Sequence, residues 1–211
     1  MARWLAGLGV AGVVLDYRVA PYRHPVPLGD AQRAIRLVRA HAAAWGIDPA
    51  RVGILGFSAG GHLAISAATI FDDGQADAAD PVDRQSCRPD ALIACYPVVD
   101  LGPHAHKGSV GNLLGNPPAP AMVEYLSLQN RVTARTPPAF IWHTAEDAGV
   151  PVANSLLLAG AMARAKVPVA LHVFPHGQHG LGLAADQPLV SGWTGLCEQW
   201  LGSIGFLPST T

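Results

Sequence analysis

The run Gly56-Phe57-Ser58-Ala59-Gly60 sets a serine between glycines, directly after the apolar stretch Arg51–Phe57 and before a helical pattern starting at Ala59. A serine on so sharp a strand-to-helix turn is lifted above the sheet edge, and the backbone N–H of Ala59, with that of Gly60, can face a developing oxyanion. The bland alternative is a small-residue turn that only lets helix and strand pack closely. A serine nucleophile needs a base for its proton and a carboxylate to orient that base. On a serine turn of this type the acid follows in the chain and the histidine comes last, each on a loop after a strand. Asp147, in His143-Thr-Ala-Glu-Asp-Ala-Gly-Val150, and His179, in Phe174-Pro-His-Gly-Gln-His-Gly-Leu181, satisfy that order. Together the three side chains predict acyl transfer to Ser58.

Each partner has rivals in the sequence. Glu146 neighbours Asp147 and reads as a solvated side chain. Asp100 follows the third apolar strand, where a displaced acid can sit, although capping its own loop is the plainer role. His172 lies within a strand and reads as a packed histidine; His143 ends a strand and reads as locally hydrogen-bonded. His176 shares the loop of His179, but Gly180-Leu-Gly182 after His179 gives that backbone the freedom to turn the ring inward. His104 and His106 form an H-x-H with no carboxylate or cysteine nearby to complete a metal set, so no metal is expected. Asp72, Asp73, Asp77, Asp80 and Asp83 do not follow the spacing of a calcium loop and read as a solvated face.

Positioning these groups requires a sheet. Strands are predicted at Val13–Leu15 (within Gly12–Arg18), Arg51–Phe57, Ala91–Tyr96, Ala139–Trp142 and Val169–Phe174, each an apolar run bounded by turn or charged residues. Between them, one helix is capped by Asp30 and carries Ala31, Ile35, Val38, Ala42 and Trp45 on one face, with Arg33, Arg36 and Arg39 off it. Others run from Ala59 to about Phe71, from Ala121 to Leu128, from Pro151 to about Lys166, and through Trp193, Leu196, Cys197, Trp200, Leu201 and Ile204. Such alternation predicts an α/β fold over residues 1–211 as a single domain, with a mostly parallel sheet of about five strands and helices on both faces.

Composition narrows the function classes. The 211 residues are 50% hydrophobic and 14% charged, which excludes a disordered chain. Lys and Arg number 14 against 15 Asp and Glu, so no basic excess points to nucleic acid. Cys87, Cys95 and Cys197 form no CxxC pair and indicate neither a disulfide scaffold nor a zinc module. The N-terminal run Leu5–Leu15 behind Arg3 can be read as a signal peptide; an amphipathic helix end followed by a buried strand fits better, because no small-residue cleavage site follows. No apolar run reaches the ~18 residues that span a bilayer. The expectation is therefore a soluble, cytoplasmic protein, with secretion as the alternative.

Asp16-Tyr17-Arg18, Trp45-Gly-Ile-Asp-Pro49, the segment Arg51–Leu63 and Arg88-Pro-Asp-Ala91, with the loops at 143–150 and 175–182, together resemble the α/β-hydrolase superfamily. Within it they are similar to the carbohydrate-esterase-like branch that contains acetylxylan esterases and related carboxylesterases. The likeness spans nearly the whole chain. It implies a serine esterase for short acyl esters, plausibly acetyl groups on sugars, that needs no cofactor and has no large cap. Hormone-sensitive-lipase-like esterases usually carry Asp where this chain has Phe57. Relatives also carry two or three further strands and a His-Gly-Gly-Gly-like oxyanion loop before the segment that starts here, so the resemblance implies a truncated fold. One lost oxyanion hydrogen bond costs on the order of 3 kcal/mol. A side chain, a water or a partner chain would have to replace it, or the natural reading frame begins earlier. In a sheet ordered one to five the first strand would be an edge needing cover, which points to a homodimer. A catalytically weak or inactive oligomerising scaffold and a serine peptidase are the competing functions.

Overall fold

The computed structural model describes residues 1–207. In chain order the elements are α1 (Ala2–Gly7), α2 (Val26–Ala40), α3 (Ala42–Trp45), β1 (Gly53–Phe57), α4 (Ser58–Thr69), β2 (Ala91–Cys95), α5 (Lys107–Leu114), α6 (Pro120–Leu126), β3 (Ala139–Thr144), α7 (Ala153–Arg164), β4 (Val169–Phe174), α8 (Pro188–Ser191) and α9 (Trp193–Ser203). The strands form one sheet of four, ordered β1-β2-β3-β4, with every neighbouring pair parallel.

Parallel strands joined by helical crossovers are covered on both faces and therefore read as continuous apolar runs. The central strands β2 and β3 obey this and are buried at every position. Successive side chains serve opposite faces. Leu92, Ala94 and Ile141 pack with Ile65, Leu158 and Met162 in one core. Ile93, Cys95, Phe140 and Trp142 pack with Trp193, Cys197 and Leu201 in another. There the rings of Trp142 and Trp193 stack with centroids 5.3 Å apart. Large side chains buried this completely contribute roughly 1.5–3 kcal/mol each. A third cluster joins Leu28, Ala31 and Ile35 of α2 to Leu63 and Ala67 of α4.

Several expectations are corrected. Among the described residues four strands form, in keeping with a sheet of about five, but the strand expected at Val13–Leu15 is absent: that segment stays irregular and pairs with nothing in the sheet. Val14 is 81% exposed. β-Branched residues favour a strand only when a neighbouring ladder and a buried face receive them, and the segment has neither. The edge strand on that side is therefore β1. Asp30 does not cap α2: the helix begins earlier, at Val26, where Pro27 fits the first turn. Asp30 instead holds Arg18 through its side chain at 2.6 Å. Trp45 leaves the apolar stripe because the helix breaks at His41, on whose ring Trp45 stacks at 5.2 Å. Helix α5, in the Gly- and His-rich stretch after Asp100, went unforeseen; its N-cap His106 accepts from the Ser109 amide. The acidic stretch is pinned rather than merely solvated: Arg33 binds Asp80 and Asp83, Arg36 binds Asp72, and Arg135 binds Asp73. Among the described residues no helix is long and apolar enough to cross a membrane.

Candidate active site

Because β1, β3 and β4 are parallel, their carboxyl ends lie along one edge of the sheet, the edge at which such folds gather their ligand sites. β1 delivers Ser58, the loop after β3 delivers Asp147, and the loop after β4 delivers His179. Ser58 sits at φ +53°, a left-handed conformation that side chains rarely adopt, which marks a strained turn. The chain closes this turn by running Gly56 against the Gly60 carbonyl, where any Cβ on Gly56 would collide. The Ser58 carbonyl accepts the Val98 amide at 3.1 Å, tying the turn to the segment after β2.

Ser58 Oγ lies 2.7 Å from His179 Nε2, and His179 Nδ1 lies 2.7 Å from Asp147 Oδ2. These contacts assign a tautomer. The carboxylate can only accept, so Nδ1 carries the proton, and the Ser58 hydroxyl donates to the free Nε2 lone pair. Asp147 Oδ1 accepts the Gly149 and Val150 amides at 2.9 and 2.8 Å. The Asp147 side chain is wholly buried while that of His179 remains 29% exposed, so the imidazole can meet a small molecule and the carboxylate cannot. The freedom expected at Gly180 and Gly182 is used: both take positive φ, +88° and +59°.

The two loops are also tied to each other. Thr144 Oγ1 donates to the Gly177 carbonyl at 2.8 Å, the Ala145 amide donates to the Phe174 carbonyl at 2.8 Å, and Glu146 meets His176 at 2.8 Å. Glu146 is thus the partner of His176 and stands apart from the Ser58–His179–Asp147 run. Asp100 is buried and accepts from the His104 amide and from Gln129 Nε2. His172 packs against Phe140 with ring centroids 5.0 Å apart. Among the described residues no three His, Cys, Asp or Glu side chains gather into a cluster that could hold a metal. The three cysteines are buried and unpaired, and burial pushes the Cys197 thiol up to about 12, which leaves it inert at neutral pH.

At the position expected to receive an oxyanion, Ala59 is exposed in the first turn of α4, where no side chain caps the helix, with Gly60 beside it. The Tyr17 hydroxyl packs next to Gly60, 3.8 Å from where its Cβ would be. Burial raises the Tyr17 pKa, so the hydroxyl keeps its proton.

Two contacts escaped the sequence reading. Tyr96 follows β2 at φ +37°, sets its ring edge-on to His179 at 5.1 Å, and accepts the Gly182 amide on its hydroxyl at 2.9 Å. His143 Nε2 lies 3.3 Å from Asp147 Oδ2. The one available signal was spacing: His143 stands four residues before Asp147, across a strand end. A separate charged depression of about 560 Å³, lined by Arg39, Asp73, Arg88, Asp90 and Arg135, lies at the amino ends of β1 and β2, away from Ser58. Its arginines are engaged internally, Arg39 with Asp90 at 2.6 Å and Arg135 with Asp73 at 2.6 Å.

The chain is similar to several characterised proteins. It is 45% identical over 186 residues to endo-1,4-beta-xylanase B of Butyrivibrio fibrisolvens, covering 88% of this chain and 29% of that protein. It is 36% identical over 184 residues to an acetylxylan esterase of Xylanibacter ruminicola, covering 85% of this chain and 36% of that protein. This chain therefore spans well under half the length of these curated relatives. The crystal structure of an acetyl ester-xyloside bifunctional hydrolase from Caldicellulosiruptor lactoaceticus superposes with a TM-score of 0.97 at 55% identity, over 98% of this chain and 76% of that one. The BD-FAE family profile matches residues 1–162, which include β1, Ser58 and Asp147. With this profile matching more than half of its length, the chain belongs to the BD-FAE family, on the carbohydrate-esterase-like side of the α/β-hydrolase superfamily.

Proposed function

We propose that this chain is a serine esterase that hydrolyses short-chain, acetyl-type carboxylic esters, with acetylated sugars as the substrate class. The observation that carries the reading is the unbroken run from Ser58 Oγ through His179 to Asp147, with both contacts at 2.7 Å. Ser58 attacks the ester carbonyl while His179 Nε2 takes its proton. Asp147 holds the imidazole in the required tautomer and stabilises the imidazolium. The amides of Ala59 and Gly60 receive the oxyanion. His179 then returns the proton to the leaving alcohol, leaving an acyl-enzyme on Ser58. Water, activated by His179, attacks that ester; the acid departs and Ser58 regains its proton.

The acetyl and sugar parts of the reading are supported by the likeness to an acetylxylan esterase and to an acetyl ester-xyloside hydrolase. The reading further takes residues 1–211 as one hydrolase domain in the cytoplasm, with secretion as the alternative. It includes a homodimer, supported by the position of β1 at the end of the strand order. Sedimentation at low protein concentration tests the dimer, and a persistent monomer removes it.

The main experiment compares wild type with Ser58→Ala on nitrophenyl acetate, butyrate and longer esters, and on acetylated xylo-oligosaccharides. Acetate release that disappears in Ser58→Ala is expected. Equal rates for the two proteins would dismiss the serine mechanism, and a preference for long acyl chains would dismiss the acetyl-ester reading.

A further inference from the structure

Behind Asp147 stands a second histidine that the mechanism above does not use. His143, in the carboxyl-terminal half of β3, has a fully buried side chain. Its Nδ1 lies 2.7 Å from Ser155 Oγ on α7, and its Nε2 lies 2.9 Å from the Val150 carbonyl and 3.3 Å from Asp147 Oδ2. The Val150 carbonyl can only accept, so the ring proton is on Nε2. Nδ1 is then a lone pair, and the buried Ser155 hydroxyl donates to it. The Nε2 proton is bonded to the carbonyl, and the carboxylate oxygen that receives His179 lies 3.3 Å from the same nitrogen.

We propose that His143 is a positioning residue for the reaction: the Val150 carbonyl fixes its tautomer, the Ser155 hydroxyl holds the ring at Nδ1, and the Nε2–H dipole beside Asp147 Oδ2 steadies that oxygen in the orientation that receives His179. This rests on the reading of Ser58, His179 and Asp147 as the reacting triad. A wholly buried carboxylate must have both oxygens occupied by donors. The two amides of the 149–150 turn serve Oδ1, while Oδ2 has His179 Nδ1 at 2.7 Å and His143 Nε2 at 3.3 Å. The titratable groups that face His143 are Asp147 and His179. Burial lowers the His143 pKa against the pull of the Val150 carbonyl and Asp147, so the ring stays neutral. Neutrality is what the role requires. A charged His143 would compete with the His179 imidazolium for the same oxygen, whereas a neutral N–H orients the carboxylate and leaves its charge to His179.

The test separates this role from plain structural support. In His143→Gln the amide nitrogen can reach the position of Nε2 and keep a donor toward Asp147. In His143→Asn the side chain is too short, reaching only the level of Nδ1. On nitrophenyl acetate, His143→Asn is expected to lower kcat about tenfold or more with KM within about twofold, while His143→Gln stays within about threefold of wild type. The acid limb of the kcat/KM profile is expected to move upward in His143→Asn, because a carboxylate relieved of one donor stabilises the His179 imidazolium more strongly. Unchanged kcat in His143→Asn, or equal losses in both variants with the acid limb in place, overturns the proposal.

Should both variants fail to fold, proton–nitrogen correlation spectra of the wild-type protein decide. His143 is expected as the neutral Nε2–H tautomer at pH 7, and a ring protonated on Nδ1 or charged at that pH overturns the proposal. Failure of the underlying reading is separately visible. If Ser58→Ala hydrolyses as fast as wild type, the triad falls, while the His179 titration followed by the same spectra in wild type and His143→Asn still reports whether His143 acts on the Asp147–His179 pair. An unmoved titration overturns the positioning role whatever the activity.

Discussion

The ring of Tyr96 meets the imidazole of His179 edge to face, 75° between planes and 5.1 Å between centroids, while its hydroxyl accepts the Gly182 amide three residues beyond that histidine. Tyr96 thus grips the His179 loop at two points. Burial pushes its phenol up to about 12, so the hydroxyl stays neutral across the working range. Tyr96→Phe keeps the ring contact and strands the Gly182 N–H. The loss of this part-buried hydrogen bond costs about 0.5–1.5 kcal/mol, so a lower melting temperature is expected together with a several-fold fall in kcat. Thermal unfolding beside ester kinetics checks both; a variant with wild-type stability would show that the Gly182 contact contributes nothing.

Asp147→Asn retains the shape of the acid and can still accept the Gly149 and Val150 amides at Oδ1. The amide NH₂ would face His179 Nδ1 and favour the wrong tautomer, so kcat should fall on the order of 10⁴-fold with little change in fold. Steady-state kinetics and circular dichroism on the same preparation check this. Activity within tenfold of wild type would show that Asp147 does not orient the base.

Gly56→Ala should be among the most damaging substitutions outside the proposed triad. The new methyl would strike the Gly60 carbonyl, which is backbone and cannot swing aside. Opening the turn would move both Ser58 and the Ala59 amide. A loss of about 3 kcal/mol or more is expected from overpacking of this severity, with activity abolished. Denaturant titration reads the first and burst kinetics the second.

Stability should fall on acidification through the histidine range. His62, buried in α4 and bound through Nε2 to the Leu126 carbonyl at 2.9 Å, has its pKa lowered from 6.5 to about 4 by burial. Between those values the unfolded chain binds the proton and the folded chain does not. The stabilisation is therefore present above pH 6.5 and is lost progressively down to about pH 4, by an amount on the order of 3 kcal/mol. His143, His24 and His172, also lowered by burial, add in the same direction. Denaturant midpoints at pH 7, 5.5 and 4.5 should decline in that order, with a shallower slope in His62→Gln. A flat profile would show that His62 titrates alike in both states.

Local sequence determined a good deal of this protein. The apolar runs at 53–57, 91–95, 139–144 and 169–174 became strands because each carries enough apolar surface to be covered on two faces. The order of serine, acid and histidine could be read because parallel strands deliver their following loops to one edge. Val13–Leu15 shows the opposite case. Its β-branched residues resemble those of a strand, yet a strand exists only by pairing, and nothing in its own residues states whether a neighbour is present. The contact of Tyr96 with His179 spans 83 positions in the chain, and that of His143 with Ser155 joins a strand to a helix. Such contacts depend on the register of β2 and β3 and on how α7 docks, which are set by packing of the whole core rather than by any local pattern. Residue types thus decided which chemistry was available, and only tertiary packing decided which neighbours hold the reacting groups in place, because hydrogen bonds act over about 3 Å and the chain must fold before those distances exist.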